Sequence, residues 1–174
     1  MNKVNSLVAA LIAASPLAWA QAPVTVSAGS AQQPPAPAAR GPSLQLSLEA
    51  AQGAIATCAA RDGQKIGVTV VDSAGVLKVV LASDGTSARG VLSSTNKALT
   101  ALAFAGATSE LGEKAKADAD FAAKVAANPS YNVRPGGLLI KVGNDVIGAI
   151  GVGGGKTDEA CAFAGLAKVQ NRLQ

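Results

Sequence analysis

Apolar positions recur along this chain at two spacings, and the switches between them mark the elements. Leu48, Ala51, Ile55 and Cys58 follow one another at three and four residues, the period of one helix face. Ser47 supplies a capping hydroxyl, Glu49 an acid in the first turn, and Arg61 with Gly63 a stop. Cys58 therefore falls on the face turned to the core. Two β-rich runs follow, 66–71 and 76–81, separated by Asp72-Ser73-Ala74-Gly75, a sequence suited to a hairpin turn. Both are apolar at most positions, which predicts strands covered by helices on at least one face.

Beyond the turn Ser83-Asp84-Gly85 the period returns to that of a helix over 90–105, with Ala98, Leu99, Leu102 and Phe104 or Ala105 as its stripe. Thr108 caps a further start with Glu110 in its first turn, and a third segment over 118–127 is stopped by Asn128-Pro129. Residues 130–137 form a loop that carries the only tyrosine, Tyr131. Strands at 138–142 and 146–152 are joined by Gly143-Asn144-Asp145, a second hairpin signal. Three glycines, Gly153 to Gly155, then break the apolar run, and a last helix is expected over 158–173.

The order is helix, hairpin, helices, hairpin, helix. Strands joined by turns this short are antiparallel, because a parallel pair needs a long crossover. The expected fold class is α/β, a single antiparallel sheet of four or five strands with the first and last helices packed together on one face. That packing would bring Cys58 close to Cys161.

The N-terminal pattern changes the domain picture. Met1-Asn2-Lys3 is a short basic start, Leu7 to Ala14 an apolar run, and Ala18-Trp19-Ala20 a cleavage signature, so residues 1–20 read as a secretory signal peptide. The run is too short to span a bilayer, and no membrane span is expected in the mature form, which should be periplasmic or secreted. Residues 21–42 hold five of the eight prolines among Ala, Gln and Gly, and read as a flexible tether. Residues 43–174 are left as one compact domain. In an exported protein two cysteines are expected to be bridged, and closing a loop of this length would contribute about 4 kcal/mol through the denatured state.

Composition narrows the chemistry. The chain has no histidine, and its only Met and Trp, Met1 and Trp19, lie in the leader. His-based triads, His-containing zinc sites and His/Met haem ligation are thereby excluded. Fifteen basic residues against eleven acidic give +4, without a basic run and with 3% aromatics, so nucleic-acid binding has no support. Gly153-Gly154-Gly155-Lys156-Thr157 invites comparison with a phosphate loop, but the first glycine of that motif should be residue 150, which is Ile150. A strand-to-helix turn with bare backbone N–H groups would still attract a small anionic ligand. The competing reading is that these glycines serve tight packing. Asp158-Glu159 reads as a pair of ordinary first-turn acids, and Asp72 as a turn residue. No acid–base or nucleophilic set can be assembled, which gives no ground for an enzyme.

Asp72-Ser73-Ala74-Gly75, Asp84-Gly85, Lys97-Ala98-Leu99-Thr100-Ala101 with Phe104 and Thr108, Gly136-Gly137-Leu138, Val146 to Val152, and Asp158-Glu159-Ala160-Cys161 with Ala164-Gly165-Leu166 together resemble the GlcG/HbpS-like family of haem-binding proteins over 46–168. The resemblance implies a profilin-like α/β fold, assembly into a homo-oligomer, and binding of haem or a related tetrapyrrole. Where the family has Ser-Gly-Gly at the last turn, this chain has Gly153 to Gly155 and so lacks a hydroxyl. The implied ligand-binding set is Tyr131, Lys97, Arg134, Gly136, Gly137, Gly153, Gly154, Gly155 and Lys156. Of these, Lys97, Arg134 and Lys156 would anchor propionates, and Tyr131 would be the best iron ligand, with a thiolate of Cys58 or Cys161 if unbridged, a weak Thr or Lys contact, or water as the other choices. Without strong axial ligation the ring would be held by apolar contact. Tyr131 also reads as a packing residue and Lys97 as a solvated helix residue. The alternatives to a haem carrier are an oligomeric structural or interaction protein, or an accessory factor in haem breakdown.

Overall fold

The structure, a computed structural model, describes residues 39–174; the leader at 1–20 and the tether up to residue 38 lie outside the described residues. The end of the segment read as a flexible tether is held to the domain. The Arg40 and Ser73 backbones are linked by Ser73 N–H donating to Arg40 O at 2.8 Å, Arg40 N–H donates to Ser73 Oγ at 2.9 Å, and the Arg40 guanidinium meets Asp145 at 2.6 Å.

Helix α1, Leu44–Ala60, starts one turn earlier than expected. Ser43 is its cap, accepting from Leu46 N–H at 3.2 Å, whereas Ser47 is buried and donates back to Ser43 O at 2.9 Å. Strands β1, Gly67–Asp72, and β2, Leu77–Ala82, form the first hairpin. Asp72 Oδ1 closes its turn by accepting from Ala74 and Val76 N–H, both at 2.9 Å. Helix α2, Ala88–Ala103, is capped by Ser87. Helices α3, Thr108–Ala117, and α4, Ala119–Ala126, follow. Thr108 is not the cap of α3: that position is Ala107, and the Thr108 hydroxyl instead accepts from Gly137 N–H at 2.8 Å, tying α3 to the sheet.

Strands β3, Gly137–Val142, and β4, Asp145–Gly153, form the second hairpin. Helix α5, Asp158–Ala167, is shorter than the expected 158–173. The chain turns beyond it, burying Val169, and forms a short 3-10 helix at Gln170–Arg172. No helix among the described residues is long and apolar enough to cross a membrane.

The sheet is antiparallel throughout, four-stranded, in the order β2-β1-β4-β3. The two hairpins thus meet through the β1–β4 pair, in which Gly67 lies opposite Gly153 and Asp72 opposite Gly148. One face carries Val68, Val70, Ile150 and Val152, covered by α1 and α5. Residue 147 sits at a bulge between the pairs Ile140–Gly148 and Lys141–Val146, and its side chain joins this larger core. The disulfide Cys58–Cys161 fastens the two covering helices to each other, with Cα atoms 5.6 Å apart.

The opposite face carries α2 and is built from small residues: Val71 and Ala149 meet Ala98 and Ala101. Here glycines bring helix and sheet backbones together. A Cβ on Gly151 would stand 2.0 Å from Ser94 O, and one on Gly137 2.4 Å from Lys97 O. Thr69 adds a buried hydroxyl contact to Ser94 at 2.9 Å. The first and last helices share a face as expected, and α2 is the main cover of the other.

Candidate functional site

Because α2 lies directly on β4, its N-terminal half runs beside the turn that leaves this strand. That turn, Gly153 to Lys156, leads into α5, and the loop ending in Arg134-Pro135-Gly136 closes the third side. The result is a cleft of about 680 Å³, within the range of small-molecule sites. Arg89 and Ser93 of α2, Arg134 and Pro135 of the loop, and Gly154 to Ala160 of the turn and α5 line it, with Lys97 at its floor.

Lys97 is not the solvated helix residue that its position allowed. It is 3% exposed, and its ammonium donates to Asp158 Oδ2 at 2.7 Å and to Val152 O at 2.9 Å. Asp158 in turn accepts from Gly155 N–H through Oδ1 at 2.8 Å. The pair therefore pins α2, the end of β4 and the start of α5 at one point. Both charges are compensated within the protein, so Lys97 shapes the floor of the cleft and offers no free positive charge to a ligand.

The glycine turn is also less bare than its sequence implied. Lys156 and Thr157 N–H both donate to Gln64 Oε1, at 2.6 and 3.1 Å, and Gly155 N–H is taken by Asp158. Gly154 has φ +106 and lines the cleft with Gly155. Gly153 and Gly137 are buried packing residues: a Cβ on Gly153 would lie 2.5 Å from Gly90 O. Gly136 adjoins the floor, where a Cβ would stand 3.0 Å from Lys97 Nζ. Glu159 is spent on structure as well, accepting from Ser109 Oγ at 2.7 Å and from Gly136 N–H at 3.2 Å.

What remains uncommitted is cationic. Arg89, Arg134 and Lys156 are exposed on the rim, and among the described residues none of them is ion-paired. Arg134 and Lys156 were expected here, whereas Arg89 was missed. A signal for it exists in the sequence: it follows the cap Ser87 by two residues, in the first turn of α2, where the helix dipole disfavours a cation by about 0.5 kcal/mol. Lys156 also stands near a helix N-terminus, one residue outside the Thr157 cap of α5.

Tyr131 is not brought to this cleft. Its ring stacks edge-on against Phe104, with centroids 4.9 Å apart, and Phe104 does the same with Phe121 at 5.0 Å. The tyrosine thus extends the small aromatic cluster that seats α4 at the end of α2. Cys58 and Cys161 are fully buried and bridged, so neither is available as a thiolate.

Comparison with known proteins places this geometry. The family described as haem degrading protein HbpS-like matches residues 43–167. The crystal structure of HbpS is 32% identical and superposes with a TM-score of 0.66, covering 74% of this chain and 90% of that one. A double mutant of HbpS from Streptomyces reticuli is 31% identical, with the same TM-score, over 86% of this chain and 98% of that one. PduOC, whose structure was solved as a heme complex, shares the fold at 22% identity and TM-score 0.66, over 73% of this chain and 94% of that one. None of the curated proteins matches the chain. By sequence and by fold, the chain belongs to the HbpS-like family.

Proposed function

We propose that the protein is an exported, oligomeric binding protein that sequesters or carries haem or a related tetrapyrrole in the cleft between α2 and α5. The observation that carries this reading is the cationic rim. Arg89, Arg134 and Lys156 come from three separate elements, surround a cleft of about 680 Å³, and have no acidic partner among the described residues. Propionates are the groups such a rim would hold through charge-assisted hydrogen bonds. Membership in the HbpS-like family and the heme complex of PduOC support the choice of a tetrapyrrole over other anions.

The residues fit the carboxylate end of haem and do not fit its iron. The chain has no histidine, its only methionine is Met1, both cysteines are bridged, and Tyr131 lies outside the cleft lining. The acids within the cleft, Asp158 and Glu159, are taken by Lys97, Gly155, Ser109 and Gly136.

Export is supported by the leader pattern at 1–20 and agrees with the disulfide, which persists in an oxidising compartment. Assembly is supported by apolar side chains left exposed on the edge strand β2 and on α5 beside the edge strand β3. Leu77 and Val80 of β2 are 52% and 42% exposed, and Phe163 stands 69% exposed over a hollow floored by Leu138 and Leu139 of β3. The direct test is a haemin titration of protein purified without a histidine tag. Saturable binding with a Soret change, weakened by Arg134→Gln with Lys156→Gln, is expected; a flat titration at micromolar protein overturns the reading.

A further inference from the structure

The mismatch between the two ends of haem in this cleft has a consequence for the class of ligand. We infer that the cleft selects a tetrapyrrole by its pair of carboxylates and is indifferent to the metal in the ring, so that metal-free dicarboxylate tetrapyrroles are ligands on the same footing as haem. The inference rests on the tetrapyrrole reading above and deepens it.

Charge gives the first argument. Lys97 and Asp158 cancel at the floor, at 2.7 Å. The three rim cations, less the one remaining carboxylate of the lining, Glu159, leave two net positive charges, the complement of a dianion. Two of those cations stand at or near helix N-termini: Arg89 in the first turn of α2, where it is unfavourable until an anion arrives, and Lys156 one residue outside the cap of α5.

The second argument is the donor set. Of the strong haem-iron ligands, histidine is absent, the only methionine is Met1, and the structure commits Tyr131 to Phe104 and the cysteines to each other, so the cleft lining offers iron at most a weak contact from Thr157 or Lys156. The third is the lining. Pro135 and Ala160 are its apolar residues, and no aromatic or branched aliphatic side chain is present. Recognition in the cleft therefore resides in charge-assisted hydrogen bonds to the ligand's carboxylates, which salt screens.

The experiment titrates the protein with haemin, protoporphyrin IX and protoporphyrin IX dimethyl ester, followed by porphyrin absorbance and fluorescence at low and high salt. Haemin and protoporphyrin IX are expected to bind within about threefold of each other, and the ester about tenfold or more weaker, because two charged contacts are lost. Arg134→Gln with Lys156→Gln, both exposed positions, should weaken the two diacids equally, and Tyr131→Phe should leave the haemin Soret maximum where it is. Haemin binding with protoporphyrin IX more than about thirtyfold weaker would show that iron is read, and would overturn the inference while leaving the tetrapyrrole reading standing. An ester as tight as the diacid, or a Soret shift on Tyr131→Phe, would overturn it as well. Silence with all three ligands would sink both.

Discussion

Lys97 on α2 and Asp158 at the first residue of α5 form a buried ion pair, Nζ to Oδ2 2.7 Å, with side chains 4% and 8% exposed. Three elements meet at this contact, because the same ammonium also donates to Val152 O at the end of β4. Removing one partner leaves the other charge buried without compensation. Asp158→Asn and Lys97→Met should each lower unfolding stability by about 3–5 kcal/mol in urea titrations. The double change Lys97→Met with Asp158→Leu should recover a large part of the loss, since no isolated charge remains. Additive losses in the double variant would show that the two side chains act independently.

A second ion pair, on the surface, gives the acid response. Glu49 of α1 meets Arg172 near the C-terminus, and hydrogen bonds from Arg172 and then Gln45 hold its carboxyl below the usual value of 4.5. A depressed folded-state value means that the stabilisation is fully present above the unfolded-state value and fades as pH falls through the folded one. Glu49→Gln should therefore lower stability slightly at neutral pH and remove part of the acid-side slope. Melting temperature against pH for the two proteins checks this: parallel curves below 4.5 would show that the pair contributes nothing.

The Cys58–Cys161 bridge closes a sequence separation of 103 residues. Opening a loop of that length releases denatured-state entropy worth about 4 kcal/mol, so reduction should bring a large drop in urea midpoint. Both cysteines are fully buried, and the native protein should resist reductant until partly unfolded. Cys58→Ala with Cys161→Ala should reproduce the loss without any reagent; an unchanged midpoint would assign the α1–α5 contact to packing alone.

Periodicity made the local elements and Cys58's inward direction legible: of the stripe Leu48, Ala51, Ile55 and Cys58, Ala51 and Cys58 are fully buried, and Leu48 and Ile55 pack partly buried against the same core. Hairpin turns were equally plain at Asp72 to Gly75 and Gly143 to Asp145. The strand order was not, because the central β1–β4 pair joins segments with β2, α2, α3, α4 and β3 between them. Ser47 resembles a cap of α1 because Glu49 follows it like a first-turn acid, but Ser43 is the cap and the Glu49 carboxylate serves Arg172. Within the site, Arg134 and Lys156 stood out as cations beside glycines. The burial of Lys97 could not be read, since its partner Asp158 lies 61 residues away and looked like an ordinary dipole acid.

The glycines of β4 yield the last prediction, which joins fold to site. A Cβ on Gly151 would stand 2.0 Å from Ser94 O and 2.6 Å from Ala98 N, both in the backbone of α2, so no side chain can rotate away to relieve the clash. Helix and strand would have to separate, and overpacking of this kind costs about 3 kcal/mol or more. Gly151→Ala should therefore lower the melting temperature strongly. It should also weaken ligand binding, because α2 carries Arg89 and Lys97 to the cleft. Gly143→Asn is the contrasting change: φ is +58 in an exposed turn with open space around the missing Cβ, a conformation asparagine tolerates, and the cost should be about 1 kcal/mol or less. Equal melting temperatures for the two variants would show that α2 does not rest on the strand through Gly151, and that the cleft is positioned by the Lys97–Asp158 pair alone.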